Sequence, residues 1–127
     1  MEDYKNYIGL YNYAYRQMRD KAIEAMKMYG RELDFVKIGK KLLEEKHSEV
    51  YEEDIEDWKS EYLYSCIFEG KHEMLYNCLI TKVRYNEVHK GLEVYLEDDT
   101  GYINDWFSMS WITFGDESVY MSILYFL

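Results

Sequence analysis

A chain of 127 residues, 48% hydrophobic and 18% aromatic, has the length of one domain and enough apolar side chain to bury a core, which excludes disorder as its main state. Its 15 Lys and Arg against 25 Asp and Glu give a net charge of −10, and that balance argues against direct nucleic-acid binding through general phosphate neutralisation. Proline is absent and tyrosine occurs 15 times.

From the N-terminus, Tyr4, Tyr7, Tyr11, Ala14, Met18, Ala22, Ala25 and Tyr29 recur at spacings of three and four, the stripe that one face of a helix presents. With Asp3 as N-cap and Gly30 as the residue after the last turn, a helix over about 3–29 is predicted. A second helix, about 34–45, begins at Asp34 and carries Phe35, Ile38, Leu42 and Leu43 on its apolar side. Between Glu44 and Glu61 nine acidic residues face only Lys46 and Lys59, so the negative charge is local. Here Tyr51, Ile55, Trp58, Tyr62 and Cys66 step by three or four, predicting a third helix over 51–62 or longer with an acidic outer face. Residues 63–69 fit the end of that helix and a first strand equally well.

After Lys71 the residues suit a pleated sheet. Met74 to Tyr85 is rich in β-branched and aromatic types, and Leu92, Val94 and Leu96 alternate with Glu93, Tyr95 and Glu97, one face buried and the other wet. Asp98–Gly101 reads as a hairpin loop. Tyr102 to Ile112 is predicted as a strand with Phe107, Met109 and Trp111 on one face and Trp106, Ser108 and Ser110 on the other. Gly115–Glu117 then turns into a last strand, Ser118 to Phe126. Short connections favour antiparallel neighbours. The expected fold is therefore α+β, with two or three N-terminal helices packed on a C-terminal antiparallel meander of four or five strands, in a single domain over 1–127.

The charged start Met1–Asn6 has no apolar core of a secretory leader, and a cytoplasmic protein is expected. The apolar run 119–127 is less than half the roughly 20 residues of a spanning helix, so no membrane partner is expected. Cys66 and Cys78 sit in apolar surroundings and read as two buried thiols, with a single bridge between them as the alternative.

Chemistry-bearing patterns are scarce. His72-Glu73-Met74-Leu75-Tyr76 starts like a zinc signature, but its fifth residue is not histidine, so the second imidazole one turn on is missing. His47, His72 and His89 are far apart in sequence. No nucleophile elbow, glycine-rich phosphate loop or twelve-residue calcium loop is present. No catalytic residue, metal site or cofactor is nominated. The crowding of Glu52, Glu53, Glu56 and Asp57 is accounted for by a helix N-terminus, which favours negative charge.

What remains is surface. Tyr4, Tyr7, Tyr11 and Tyr15 share one helix face, and tyrosine joins a large contact area to a polar tip. Trp106 is expected on the open sheet face. These residues, with Glu52, Glu53, Glu56 and Asp57, form the expected interaction surface of a non-enzymatic protein-interaction module whose partner is another protein, basic in character. Two alternatives stand beside it: a small-ligand binder or enzyme with a pocket between helices and sheet, and an inhibitor that mimics nucleic acid. Homodimerisation through the C-terminal strand is the alternative to a central place for that strand.

Overall fold

In the computed structural model the backbone is described for residues 2–63 and 65–127, and the side chains for residues 12–63, 65–70 and 72–127. The long helix α1 spans Glu2–Tyr29 and is followed by a two-residue strand β1, Leu33–Asp34. Gly30, at φ 72, donates its amide to the Met26 carbonyl and ends α1, a left-handed position that glycine takes without strain. Asp34 closes β1 and caps α2, Phe35–Lys46, its carboxylate accepting from the Lys37 amide at 3.1 Å. Helix α3, Glu52–Tyr62, opens with the Tyr51 amide donating to Asp54 at 2.9 Å. Glu52, Glu53 and Asp54 occupy its first turn, where carboxylates complement the unsatisfied amides and the helix dipole.

The sheet strands are β2 (Ser65–Glu69), β3 (Leu75–Asn86), β4 (Gly91–Glu97), β5 (Asn104–Ser108) and β6 (Ile112–Phe114), with helix α4 at Asp116–Phe126. All pairs are antiparallel in the order β5-β4-β3-β2-β6, and β1 adds to β3 beyond β2. The fold is α+β: three helices precede the main strands of a six-stranded antiparallel sheet, β1 lies between the first two helices, and α4 follows the last strand. Within the stretch 63–69, whose Tyr64 lies outside the described residues, Ser65–Glu69 form a strand, and the third helix ends at Tyr62 with Leu63 as its C-cap.

Strands β5 and β6 lie on opposite edges, yet only the turn Met109–Trp111 separates them in sequence. The sheet must therefore coil until its edges approach. Phe68 of β2 and Phe107 of β5 show the coil directly: their ring centroids are 4.4 Å apart, whereas three strand spacings in a flat sheet would separate them by about 14 Å. Two irregularities assist. In β3 the register against β4 shifts between Ile80 and Lys82, leaving Thr81 as the extra, buried residue. The β2–β6 register also shifts, between Ile67 and Phe68. Such bulges bend a strand and increase its twist. The core lies inside the coil and under the helices: Met26 and Ala22 of α1, Leu33, Phe35, Ile80, Val83, Val94, Leu96 and Ile123 are all buried.

Two expectations are corrected. Ser118 to Phe126 is not a strand but lies in α4. Val119, Ser122 and Ile123 are buried and Phe126 half-buried, a helical spacing that tertiary burial selected over the β-type composition. The Gly115–Glu117 turn accordingly starts that helix, so residues 118–126 are not the strand edge expected there. Tyr102 to Ile112 is also not one strand: it breaks after Ser108 into the turn Met109–Trp111. That break leaves Trp111 exposed rather than beside Phe107. On α1 the buried line runs through Ala22 and Met26, while Ala14 is exposed. Among the described residues no helix is long and apolar enough to cross a membrane.

Because Phe68 is only 5% exposed and closes the coil against Phe107, Phe68→Ala is expected to cost roughly 3–5 kcal/mol in urea unfolding. A loss below about 1 kcal/mol, within the effect of an ordinary surface change, would show that the coil does not depend on this contact.

Candidate functional site

Trp58 of α3 is 7% exposed and lies on the backbone of α2 at Gly39. A Cβ on Gly39 would stand 2.3 Å from the indole Cδ2, so glycine is what admits the ring. This close approach sets α2 and α3 side by side. Tyr62, one turn after Trp58, packs its ring at 5.6 Å from the indole. Helix α4 forms the opposite wall with Met121, Tyr125 and Phe126, and α2 adds Leu42, Leu43 and Lys46. The result is a groove of about 520 Å³ between three helices, within the size range of ligand clefts. Phe126 packs on buried Phe35 at 5.9 Å, tying that wall to the core. Leu42, Tyr62, Met121 and Tyr125 are nevertheless exposed, Tyr125 by 83%.

Charge around the groove is uneven. Lys46 is the one charged side chain lining it among the described residues, and no ion pair engages it. Lys59 is held by Glu97 at 3.3 Å and Glu56 at 3.6 Å. In helical projection Asp57 and Glu61 flank the Trp58–Tyr62 stripe on the side opposite Lys59, and both are exposed. Both acidic residues thus lie on α3 next to the wall it contributes, although neither lines the groove itself.

The sequence-predicted residues are dispersed. The side chains of Tyr4, Tyr7 and Tyr11 lie outside the described residues. Tyr15 is half-buried: its hydroxyl donates to Asp116 and its ring meets Tyr120 edge-on at 6.0 Å. Burial, then the hydrogen bond to Asp116 and the neighbouring Tyr120, push its ionisation well above the usual tyrosine range. Tyr15 therefore fastens α1 to α4. Glu52, Glu53, Glu56 and Asp57 are exposed on α3, with Glu56 near Lys59.

Trp106 is half-buried and covered. The Arg84 guanidinium lies 3.9 Å from its ring and Tyr95 meets it edge-on at 5.5 Å, contacts worth about 0.5–1 kcal/mol each. Arg84 also bonds Glu93 at 2.8 Å. Burial raises the Glu93 carboxyl, but hydrogen bonds from Arg84 and Asn86 outweigh it and hold the group below its ordinary range.

Sequence reasoning misses Met121 and Tyr125, because it makes the C-terminal segment a strand, and Gly39, because nothing local shows that an indole from another helix rests on it. Leu42 and Leu43 both fit the apolar stripe that starts at Phe35, so the sequence carries no signal that Leu42 is left exposed. Among the described residues no group of three His, Cys, Asp or Glu side chains stands close enough to hold a metal ion. No family model matches the chain, and no curated protein or solved structure matches it.

Gly39→Ala is expected to destabilise by about 1–3 kcal/mol through overpacking against Trp58, although alanine is the better helix former; calorimetric or urea unfolding measures it, and a gain in stability would show that the indole can yield. Glu93→Gln tests the Arg84 pair by pH. With its folded value lowered, Glu93 stabilises above its unfolded value near 4.3 and loses that contribution as pH falls through the folded value. The Tm gap between wild type and variant is therefore expected to narrow from about pH 6 to about pH 3, and a constant gap would assign the loss to packing.

Proposed function

We propose that this protein is a non-enzymatic protein-interaction module, and that the groove between α2, α3 and α4 receives an amphipathic helical segment of a partner protein, apolar on one face and basic beside it. The single observation that carries this reading is the row of exposed apolar side chains, Leu42, Tyr62, Met121 and Tyr125, lining one trough. Scattered exposed apolar residues are ordinary, whereas a contiguous set marks a contact surface. Helix-in-groove recognition uses apolar anchors at i, i+3, i+4 and i+7. The exposed carboxylates of Asp57 and Glu61, on a segment with nine acidic and two basic residues between 44 and 61, supply the charge complementarity that steers a basic segment and fixes its register. The site differs from the expected surface of Tyr15 and Trp106, since those rings are engaged within the fold.

The test uses a synthetic helical peptide with leucine at the anchor positions and lysine elsewhere, against the same peptide with glutamate in place of lysine. The lysine peptide is expected to bind at least about tenfold more tightly, about 1.4 kcal/mol, with the difference shrinking as salt is raised. Met121→Ala combined with Tyr125→Ala, both exposed and so tolerated by the fold, is expected to weaken binding by at least about tenfold, near the threshold for an interface anchor. Equal binding by the double variant would reduce the attraction to charge alone, and no binding to the wild type would remove the proposal. Displacement of the peptide by dodecanoate, lost in Lys46→Met, would instead assign the groove to a small apolar anion seated on Lys46.

A further inference from the structure

Cys66 of β2 and Cys78 of β3 stand directly opposite each other in the antiparallel register. Opposed residues of a ladder share a face, and both thiols are free and buried in the core. The hydrogen-bonding state of the pair follows from the hairpin that joins the two strands. There the Gly70 amide donates to the Met74 carbonyl at 2.8 Å. Hydrogen-bonded pairs alternate along an antiparallel ladder, and the β2–β3 register is unbroken. Counting back two residues at a time makes Phe68 with Tyr76, and then Cys66 with Cys78, hydrogen-bonded pairs. Such partners keep their Cα atoms about 5.5 Å apart, inside the roughly 4.4–6.8 Å that a disulfide bridges.

We propose that Cys66 and Cys78 are a cross-strand dithiol that closes reversibly into an intramolecular disulfide by exchange with a low-molecular-weight disulfide such as oxidised glutathione. One cysteine thiolate attacks the glutathione disulfide, forming a mixed disulfide and expelling one glutathione thiolate, which takes up a proton. The second cysteine thiolate then attacks the protein-bound sulfur and releases the other glutathione. Two protein thiols are oxidised and one glutathione disulfide is reduced to two thiols, so the exchange balances without another oxidant.

The folded state controls access. Burial pushes the Cys66 thiol up to about 12, with the neighbouring Cys78 adding to it, and burial followed by the charge of Asp98 pushes Cys78 up to about 11. Little thiolate is therefore present at neutral pH, and the closed sheet exchanges slowly. The route in is the β6 edge. That strand has three residues, meets β2 through two register pairs and carries the bulge between them, features of a segment that opens locally before the rest. A shallow depression of about 420 Å³ lined by Cys66, Ile67, Tyr76 and Phe114 lies at this edge. A bridge across a hydrogen-bonded pair departs from preferred disulfide geometry, and strained bridges are the reducible ones.

The experiment incubates the whole protein with excess oxidised glutathione at mildly basic pH, with and without urea below the unfolding transition, and alkylates what remains. The expected product has lost two hydrogens, carries no glutathione and yields one cross-linked peptide pair containing Cys66 and Cys78. It forms faster as urea opens the edge, and dithiothreitol restores the starting mass and near-ultraviolet spectrum. Cys66→Ser and Cys78→Ser each are expected to stop at a single glutathione adduct. A wild type that accumulates one or two adducts without the cross-link, that links two chains, or that stays unmodified where amide exchange shows β6 open, overturns the proposal.

Discussion

The coil of the sheet is the constraint from which the other contacts follow. A chain that leaves β5 and enters β6 after three residues, on opposite edges of a five-strand path, has no flat solution, because the spacing between strands is fixed by the hydrogen bonds. Thr81 as an extra residue in β3 and the shift between Ile67 and Phe68 supply the bend. The contact of Phe68 with Phe107 fills the space that the bend encloses. With the sheet coiled, β6 delivers the chain at Gly115, whose φ of 104 turns it into α4. A Cβ there would stand 2.9 Å from the Ser65 carbonyl oxygen, so the turn passes directly over β2. Helix α4 is thereby set against α1, where Tyr15 reaches Asp116 and Tyr120.

The groove is a consequence of this placement and of one missing Cβ. Trp58 settles on Gly39 and brings α3 against α2, while α4, anchored through Val119, Ile123 and the Phe126–Phe35 contact, stands across from both. Three helices that converge on a core but carry apolar side chains beyond the buried stripe leave a trough between them. The acidic residues of α3 then have two roles at different positions. Asp54 receives the Tyr51 amide and Glu52 and Glu53 share the first turn, so these belong to helix formation. Asp57 and Glu61, later in the helix, are left to the solvent beside the trough.

Aromatic residues divide along the same line. Tyr15, Tyr120 and Phe68 close the core, and Trp106 is held between Arg84 and Tyr95 on the sheet. Tyr62 and Tyr125 are instead mostly open to solvent, on the walls of the groove. A count of 15 tyrosines could not make that division, because a ring at helical spacing has the same composition whether its neighbour is another helix or water. Trp106 shows this in a strand: it shares a face with its cross-strand neighbour Tyr95, and Tyr95 and Arg84 cover its ring.

The sequence by itself determined the three N-terminal helices nearly to the residue, the acidic character of α3 and the alternation of β4, because each rests on local periodicity, capping or turn chemistry within a few positions. It also determined that Cys66 and Cys78 lie in apolar surroundings. Only the tertiary structure decided that 116–126 is a helix, that the strand expected over 102–112 breaks after Ser108, and that Leu42, Tyr62, Met121 and Tyr125 share one trough. The physical reason is that Val119, Tyr120 and Ile123 suit a strand or a helix equally by composition. The surface offered by α1 and the inside of a coiled sheet selects the helix, and that surface is built from residues distant in the chain.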